Sequence, residues 1–232
     1  MTDHIKGLLF DKDGTLFDFR TTWGAWADRF FREAAQDDEV LAANMARQLG
    51  YDFEAREFSK SSVIIAGTPE DITMALVDVI QDKTPAEIVE TINRLAVDVP
   101  QAEPVPLIPL LEGFRTRGLK LGVATNDAEE PARAHLGSAG VVELFDFIAG
   151  FDSGYGGKPA TGMQIGFCAS VGLAPEQVIM VGDSLHDLIS GRDAGMMTIA
   201  VLTGMADADD LAPFADVVLP HIGDIPEFLG HS

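Results

Sequence analysis

Hydrophobic residues in this chain come in short blocks. The blocks at 5–10, 119–124, 147–149, 178–181, 198–202 and 217–219 are strand length, and most do not alternate with polar positions. Such runs suit strands covered on both faces, as in a parallel sheet. Between them the spacing changes to a helical period, at about 107–117, 129–139, 162–172, 185–194 and 222–229. Strand and helix in alternation predict a doubly wound α/β core with a Rossmann-like parallel sheet.

Residues 20–98 break the alternation. Trp23, Trp26, Ala27, Phe30, Phe31 and Ala34 recur at helical spacing, as do Leu41, Met45 and Leu49. Thr68-Pro69-Glu70-Asp71 reads as an N-cap, a proline at the first helical position and an acidic first turn. Ile72, Ala75, Leu76, Val79 and Ile80 then share one face. Thr84-Pro85-Ala86-Glu87 repeats the start signal ahead of Ile88, Ile92 and Leu95. An all-helical module inserted after the first strand is expected. The four prolines in 100–109 mark the return, which divides the chain into a core of 1–18 and 100–232 and an insert of 19–99.

Composition narrows the function. With 37 acidic and 16 basic residues the formal charge is −21, which argues against a nucleic-acid partner, since that requires a basic footprint. An anionic substrate would have to be drawn in by local cations or a metal. The single cysteine, Cys168, permits no intrachain disulfide and lies in an apolar helical pattern, as a core residue would. The N-terminus lacks the signature of a signal peptide, and no apolar run reaches membrane-spanning length. A cytoplasmic protein without membrane partners, monomeric or homodimeric, is the expectation.

Ligands of open α/β sheets bind beyond the carboxyl ends of the strands, so the residues there carry the chemistry. The first strand is followed by Asp11-Lys12-Asp13-Gly14-Thr15, the second by Thr125-Asn126-Asp127, the third by a glycine-rich stretch ending Gly156-Gly157-Lys158-Pro159, and the fourth by Gly182-Asp183-Ser184-Leu185-His186-Asp187. Asp11 and Asp13, two apart at the end of a buried strand, repel each other unless a hard cation sits among them, and Mg²⁺ prefers oxygen ligands. An EF-hand is excluded: counted from Asp11, its sixth and twelfth positions hold Leu16 and Thr22, not glycine and an acid. A carboxylate beside the metal can attack phosphorus, a second can move the leaving-group proton, and a lysine and a hydroxyl can face the phosphoryl charge. The set reads as a phosphoryl-transfer site. Alternatives stand beside two members: Thr125 suits a helix N-cap, and Asp187 completes a capping box with Ser184.

In the order FDKDGTL, helical insert, KLGVATN, GGKP, VGDSLHD, the chain resembles the haloacid dehalogenase-like hydrolase superfamily over nearly its whole length. The resemblance is greatest to its phosphoglycolate-phosphatase group, which carries a helical cap after the first strand. It implies Asp11 as nucleophile, Asp13 as general acid/base, Thr125 and Lys158 as phosphoryl contacts, and Mg²⁺ held by Asp11, the Asp13 backbone carbonyl and Asp183, with Asp187 close by. Dehalogenating members lack the second aspartate, so Asp13 implies phosphoester chemistry. Lys12 departs from the pattern, where many members have an apolar residue. The expected activity is Mg²⁺-dependent hydrolysis of a small phosphorylated metabolite, 2-phosphoglycolate being a candidate. Alternatives are a phosphomutase of the β-phosphoglucomutase kind and a receiver-like phosphoacceptor. Asn126, Arg20 and Lys60 are candidate substrate contacts. Trp23 suits the core of the insert, the acidic run 205–210 and His186 suit solvent, and His4, His135, His221 and His231 show no ligand spacing.

Overall fold

The computed structural model describes residues 2–80 and 82–230. Six strands form one parallel sheet: β1 (Gly7–Phe10), β4 (Lys120–Ala124), β5 (Phe147–Ala149), β6 (Val178–Gly182), β7 (Met197–Val201) and β8 (Val217–Leu219), in the order β5-β4-β1-β6-β7-β8. The two central strands that β1 separates, β4 and β6, are reached by crossovers in opposite directions. A crevice therefore opens at their carboxyl ends, where the strand order reverses. β1 is buried throughout, which explains its unbroken apolar run.

Helices α5 (Leu107–Thr116), α6 (Glu129–Ser138), α7 (Gly162–Val171), α8 (Leu185–Asp193), the short α9 (Ala208–Leu211) and α10 (Ile225–Gly230) accompany the sheet. Two apolar clusters flank it. One gathers Leu8, Phe10, Leu121, Val123, Ile179, Val181, Leu111 and Phe114; the other gathers Leu9, Ala124, Met180, Met163 and Phe167. Alternate residues of β1 thus feed opposite faces, as the period of a strand requires.

Between β1 and β4 run α1 (Phe19–Ala34), α2 (Glu39–Gln48), α3 (Pro69–Leu76) and α4 (Pro85–Val97). The starts read from Thr68 and Thr84 are present as full capping boxes, with Asp71 and Glu87 bonding back to the cap residue's N–H. The insert is not wholly helical: Tyr51–Asp52 and Glu57–Phe58 form a two-residue antiparallel ladder, β2 and β3. It is too short to show as a periodic signal. The tryptophans lie in an apolar cluster whose buried members all fall between Phe19 and Val99. Trp26 stacks on Phe30 with ring centroids 4.6 Å apart and donates to the Ile92 carbonyl at 3.1 Å.

Candidate active site

Sheet register brings the predicted residues together. Phe10 is level with Val123 on one side and Val181 on the other, so Asp11, Thr125 and Asp183 emerge from three adjacent strands near one level. Asp11 N–H donates to the Val181 carbonyl at 2.8 Å, and Thr125 N–H to Ala149 at 3.0 Å. Beyond Asp11 the chain turns sharply at Gly14, whose φ is +77°. A Cβ there, or at Gly204, would overlap the Asp183 carboxylate, so both positions need glycine for close approach.

Lys158 reaches into the crevice from the loop after β5. Its Nζ donates to Asp11 Oδ1 at 2.6 Å, to Asp187 Oδ1 at 2.5 Å and to the Ala124 carbonyl at 2.8 Å. Asp187 completes the capping box read for it, with Oδ2 accepting from Ser184 N–H at 3.1 Å and Ser184 Oγ at 2.6 Å, while Oδ1 accepts from Lys158 inside the crevice. Carboxylate oxygens of Asp11, Asp183 and Asp187 lie within 4.8 Å of one another, and all three residues are buried. Oxygens opposite each other on Mg²⁺ stand about 4 Å apart, so this hard, all-oxygen set fits such an ion.

Electrostatics report the crowding. Burial raises the Asp11 pKa to about 7, against the pull of Lys158 and with the push of Asp187 and Asp13. Burial likewise raises Asp183 well above the usual carboxylate range, reinforced by Asp11 and Asp187. Burial alone would lower Lys158, but Asp11 and Asp187 outweigh it and raise its pKa, so the ammonium is charged.

Asp11, Asp13, Thr125, Asn126 and Lys158 line a small space of about 30 Å³, roofed by Trp23, Ile64, Ile65, Pro69 and Ile72 of the insert. A groove of about 900 Å³ opens beside it and shares Lys158, Ser184 and His186.

The candidate substrate contacts fare differently. Asn126 is spoken for: Oδ1 accepts from Lys158 N–H at 2.7 Å, and Nδ2 donates to the carbonyls of Lys158 and Ala66 at 2.9 and 2.8 Å. It holds the Lys158 backbone and ties the insert to the core. Arg20 lies exposed on α1 and lines neither space. Lys60 borders the groove but pairs with Asp207 at 2.6 Å and Asp210 at 3.0 Å, so the acidic run at 205–210 is a partner of the insert and not merely solvated.

Three residues were missed. His186 is half-buried, lines both spaces and has Nδ1 3.0 Å from the Ala66 carbonyl, because the insert covers the helix face it projects from. His135 is buried and bonds Lys12 and the Ala96 carbonyl. Asp127 pairs with Lys12 at 3.2 Å, and burial raises its pKa to about 6. Only Lys12 itself hinted at these last two: a cation within an apolar strand end needs acceptors from elsewhere.

Comparison with known proteins agrees with this architecture. A family model described as haloacid dehalogenase-like hydrolase matches residues 5–195. A phosphoglycolate phosphatase of Aquifex aeolicus is 27% identical over 97% of both chains. A pyrophosphatase PpaX of Oceanobacillus iheyensis is 27% identical over 98% of both. The crystal structure of a phosphoglycolate phosphatase predicted in Haemophilus somnus superposes with a TM-score of 0.73 at 18% identity, covering 98% of this chain and 99% of the other. The chain belongs to the haloacid dehalogenase-like hydrolases.

Proposed function

We propose that the protein is a Mg²⁺-dependent phosphomonoesterase that works through an aspartyl-phosphate. One observation carries the reading: three buried carboxylates from β1 and the β6–α8 junction converge, and two of them share the Lys158 ammonium. Residues 1–18 and 100–232 form the catalytic core in this reading, and 19–99 the cap. Asp11, Asp183 and Asp187, with the Asp13 backbone carbonyl, hold the ion. When bound, Mg²⁺ neutralises clustered charge and keeps the Asp11 carboxylate ionised.

Asp11 Oδ1 accepts from Lys158, which leaves Oδ2 for attack on phosphorus. As the O–P bond to Asp11 forms and the ester P–O bond breaks, Asp13 gives its proton to the leaving oxygen. Asp13 then takes a proton from the water that hydrolyses the acyl-phosphate, which returns both groups to their starting state. Lys158 and the Thr125 hydroxyl oppose the charge on the phosphoryl oxygens. The cap roof excludes water from that space.

The relatives suggest 2-phosphoglycolate and pyrophosphate as first candidates. The roof contributes apolar side chains and no cation, which favours a compact leaving group with little charge of its own and counts against both of these candidates, whose leaving groups are anions. Phosphate release is to be assayed against 2-phosphoglycolate, pyrophosphate, alkyl and sugar phosphates, with and without chelator. Asp11→Asn is expected to lose at least ~1,000-fold in kcat. Equal turnover by wild type and Asp11→Asn removes Asp11 as nucleophile, and interconversion of hexose phosphates without phosphate release makes the protein a mutase.

A further inference from the structure

Lys12 contacts neither space at the active site, yet it is a fully buried cation beside it. Desolvating an ammonium is costly unless every donor is matched. Here four acceptor atoms surround it, two of them in hydrogen-bond geometry and two as ion-pair contacts. Lys12 Nζ lies 2.8 and 2.7 Å from the two oxygens of Asp13, 2.9 Å from His135 Nδ1 and 3.2 Å from Asp127 Oδ2. The Trp23 ring lies over it, 5.9 Å from Nζ to centroid. On its other side His135 Nε2 donates to the Ala96 carbonyl at 2.7 Å, in the last turn of α4. That bond sets the tautomer: Nε2 carries the proton, so Nδ1 is free to accept from Lys12. The ring's low pKa, about 4, agrees with a neutral imidazole.

A continuous chain of hydrogen bonds, charge-assisted at Lys12, therefore runs from Asp13, through Lys12 and His135, to a backbone carbonyl of the insert. We propose that Lys12 is a positioning residue that aims the Asp13 carboxyl at the leaving oxygen, and that His135 makes this aim depend on α4 being seated on the core. An ammonium touching both carboxylate oxygens fixes the plane as well as the place of the group. When α4 is seated, Ala96 holds His135, His135 holds Lys12, and Lys12 holds Asp13. When α4 lifts, the ring loses its acceptor and Lys12 loses a defined partner. The inference rests on Asp13 being the leaving-group acid.

The test exploits what that acid does. A p-nitrophenolate leaves without a proton, whereas an alkoxide needs one. In Lys12→Met/Asp127→Asn the buried cation and its second counter-charge go together, so no unpaired ion is left at Asp127. Because Asp13 also serves hydrolysis of the acyl-phosphate common to both esters, the readout is kcat/KM, which reports only the steps up to loss of the leaving group, and this variant is expected to lose about 10- to 100-fold in it on the alkyl phosphate that wild type turns over fastest. On p-nitrophenyl phosphate its kcat/KM should stay within about 3-fold of wild type. His135→Leu keeps the Lys12–Asp13–Asp127 ion set and should show the same selectivity at about 3- to 10-fold, which keeps the idea testable if the double variant does not fold. Equal loss on both substrates, or loss on neither, overturns the proposal. Asp13→Asn is the control. If its loss is not selective for the alkyl ester, the acid assignment itself fails. If it is selective and the Lys12 and His135 variants are not, only the positioning role falls.

Discussion

His135 should make folding stability depend on pH in a calculable way. In the folded protein the ring is buried, and the Lys12 ammonium adds to the penalty on its charged form, so its pKa falls from 6.5 to about 4. Between those values the unfolded chain binds a proton that the folded chain does not, and stability rises with pH across the window. The contribution is complete above the unfolded value and is lost as pH falls toward the folded one. At about 1.4 kcal/mol per pH unit, the loss reaches roughly 2 kcal/mol by pH 5 and roughly 3 kcal/mol by pH 4. His135→Leu removes the titration. It also strips one acceptor from Lys12 and one donor from Ala96, at a cost of about 1–3 kcal/mol that does not depend on pH. Urea unfolding of both proteins at pH 8 and pH 5 isolates the histidine, because the carboxylates titrate in each. Wild type should be the more stable at pH 8, and the gap should narrow by about 2 kcal/mol at pH 5. A gap that stays constant between the two pH values refutes a buried neutral His135.

Trp26→Ala should cost about 3–5 kcal/mol in the same urea assay, because it empties the centre of the insert's cluster and leaves the Ile92 carbonyl without its donor. A loss under about 1 kcal/mol contradicts that packing. Mg²⁺ titration, followed by thermal unfolding, should raise stability by about 2.7 kcal/mol at a hundredfold excess over the dissociation constant. Asp183→Asn should flatten that response, and an unchanged response excludes Asp183 from the ion. Gly204→Ala should do the same without altering any charge, since its methyl group displaces the Asp183 carboxylate; a wild-type Mg²⁺ response in this variant shows that the carboxylate has room to move.

Features that depend on local rules can be read along the chain. Strand length, helical period and capping chemistry are short-range, so the six strands, the helices from Thr68 and Thr84, and the order of motifs could all be read along the chain. Even the candidate site was legible as a place, because in a parallel sheet the residues after each strand must share an edge. Asp11, Asp13, Thr125, Lys158, Asp183 and Asp187 accordingly meet there. Tertiary structure alone decided which groups face each other across long gaps. Lys12 and His135 are 123 positions apart, and no periodicity marks a histidine as the acceptor for a buried lysine. Lys60 meets Asp207 across 147 positions, and Asn126 meets Ala66 across 60. Each of these contacts joins the insert to the core or completes a buried charge. Local pattern specifies what each element is and which face it buries. How the insert sits on the core is set by shape and by pairing buried polar groups, and that is known only once the chain has closed on itself.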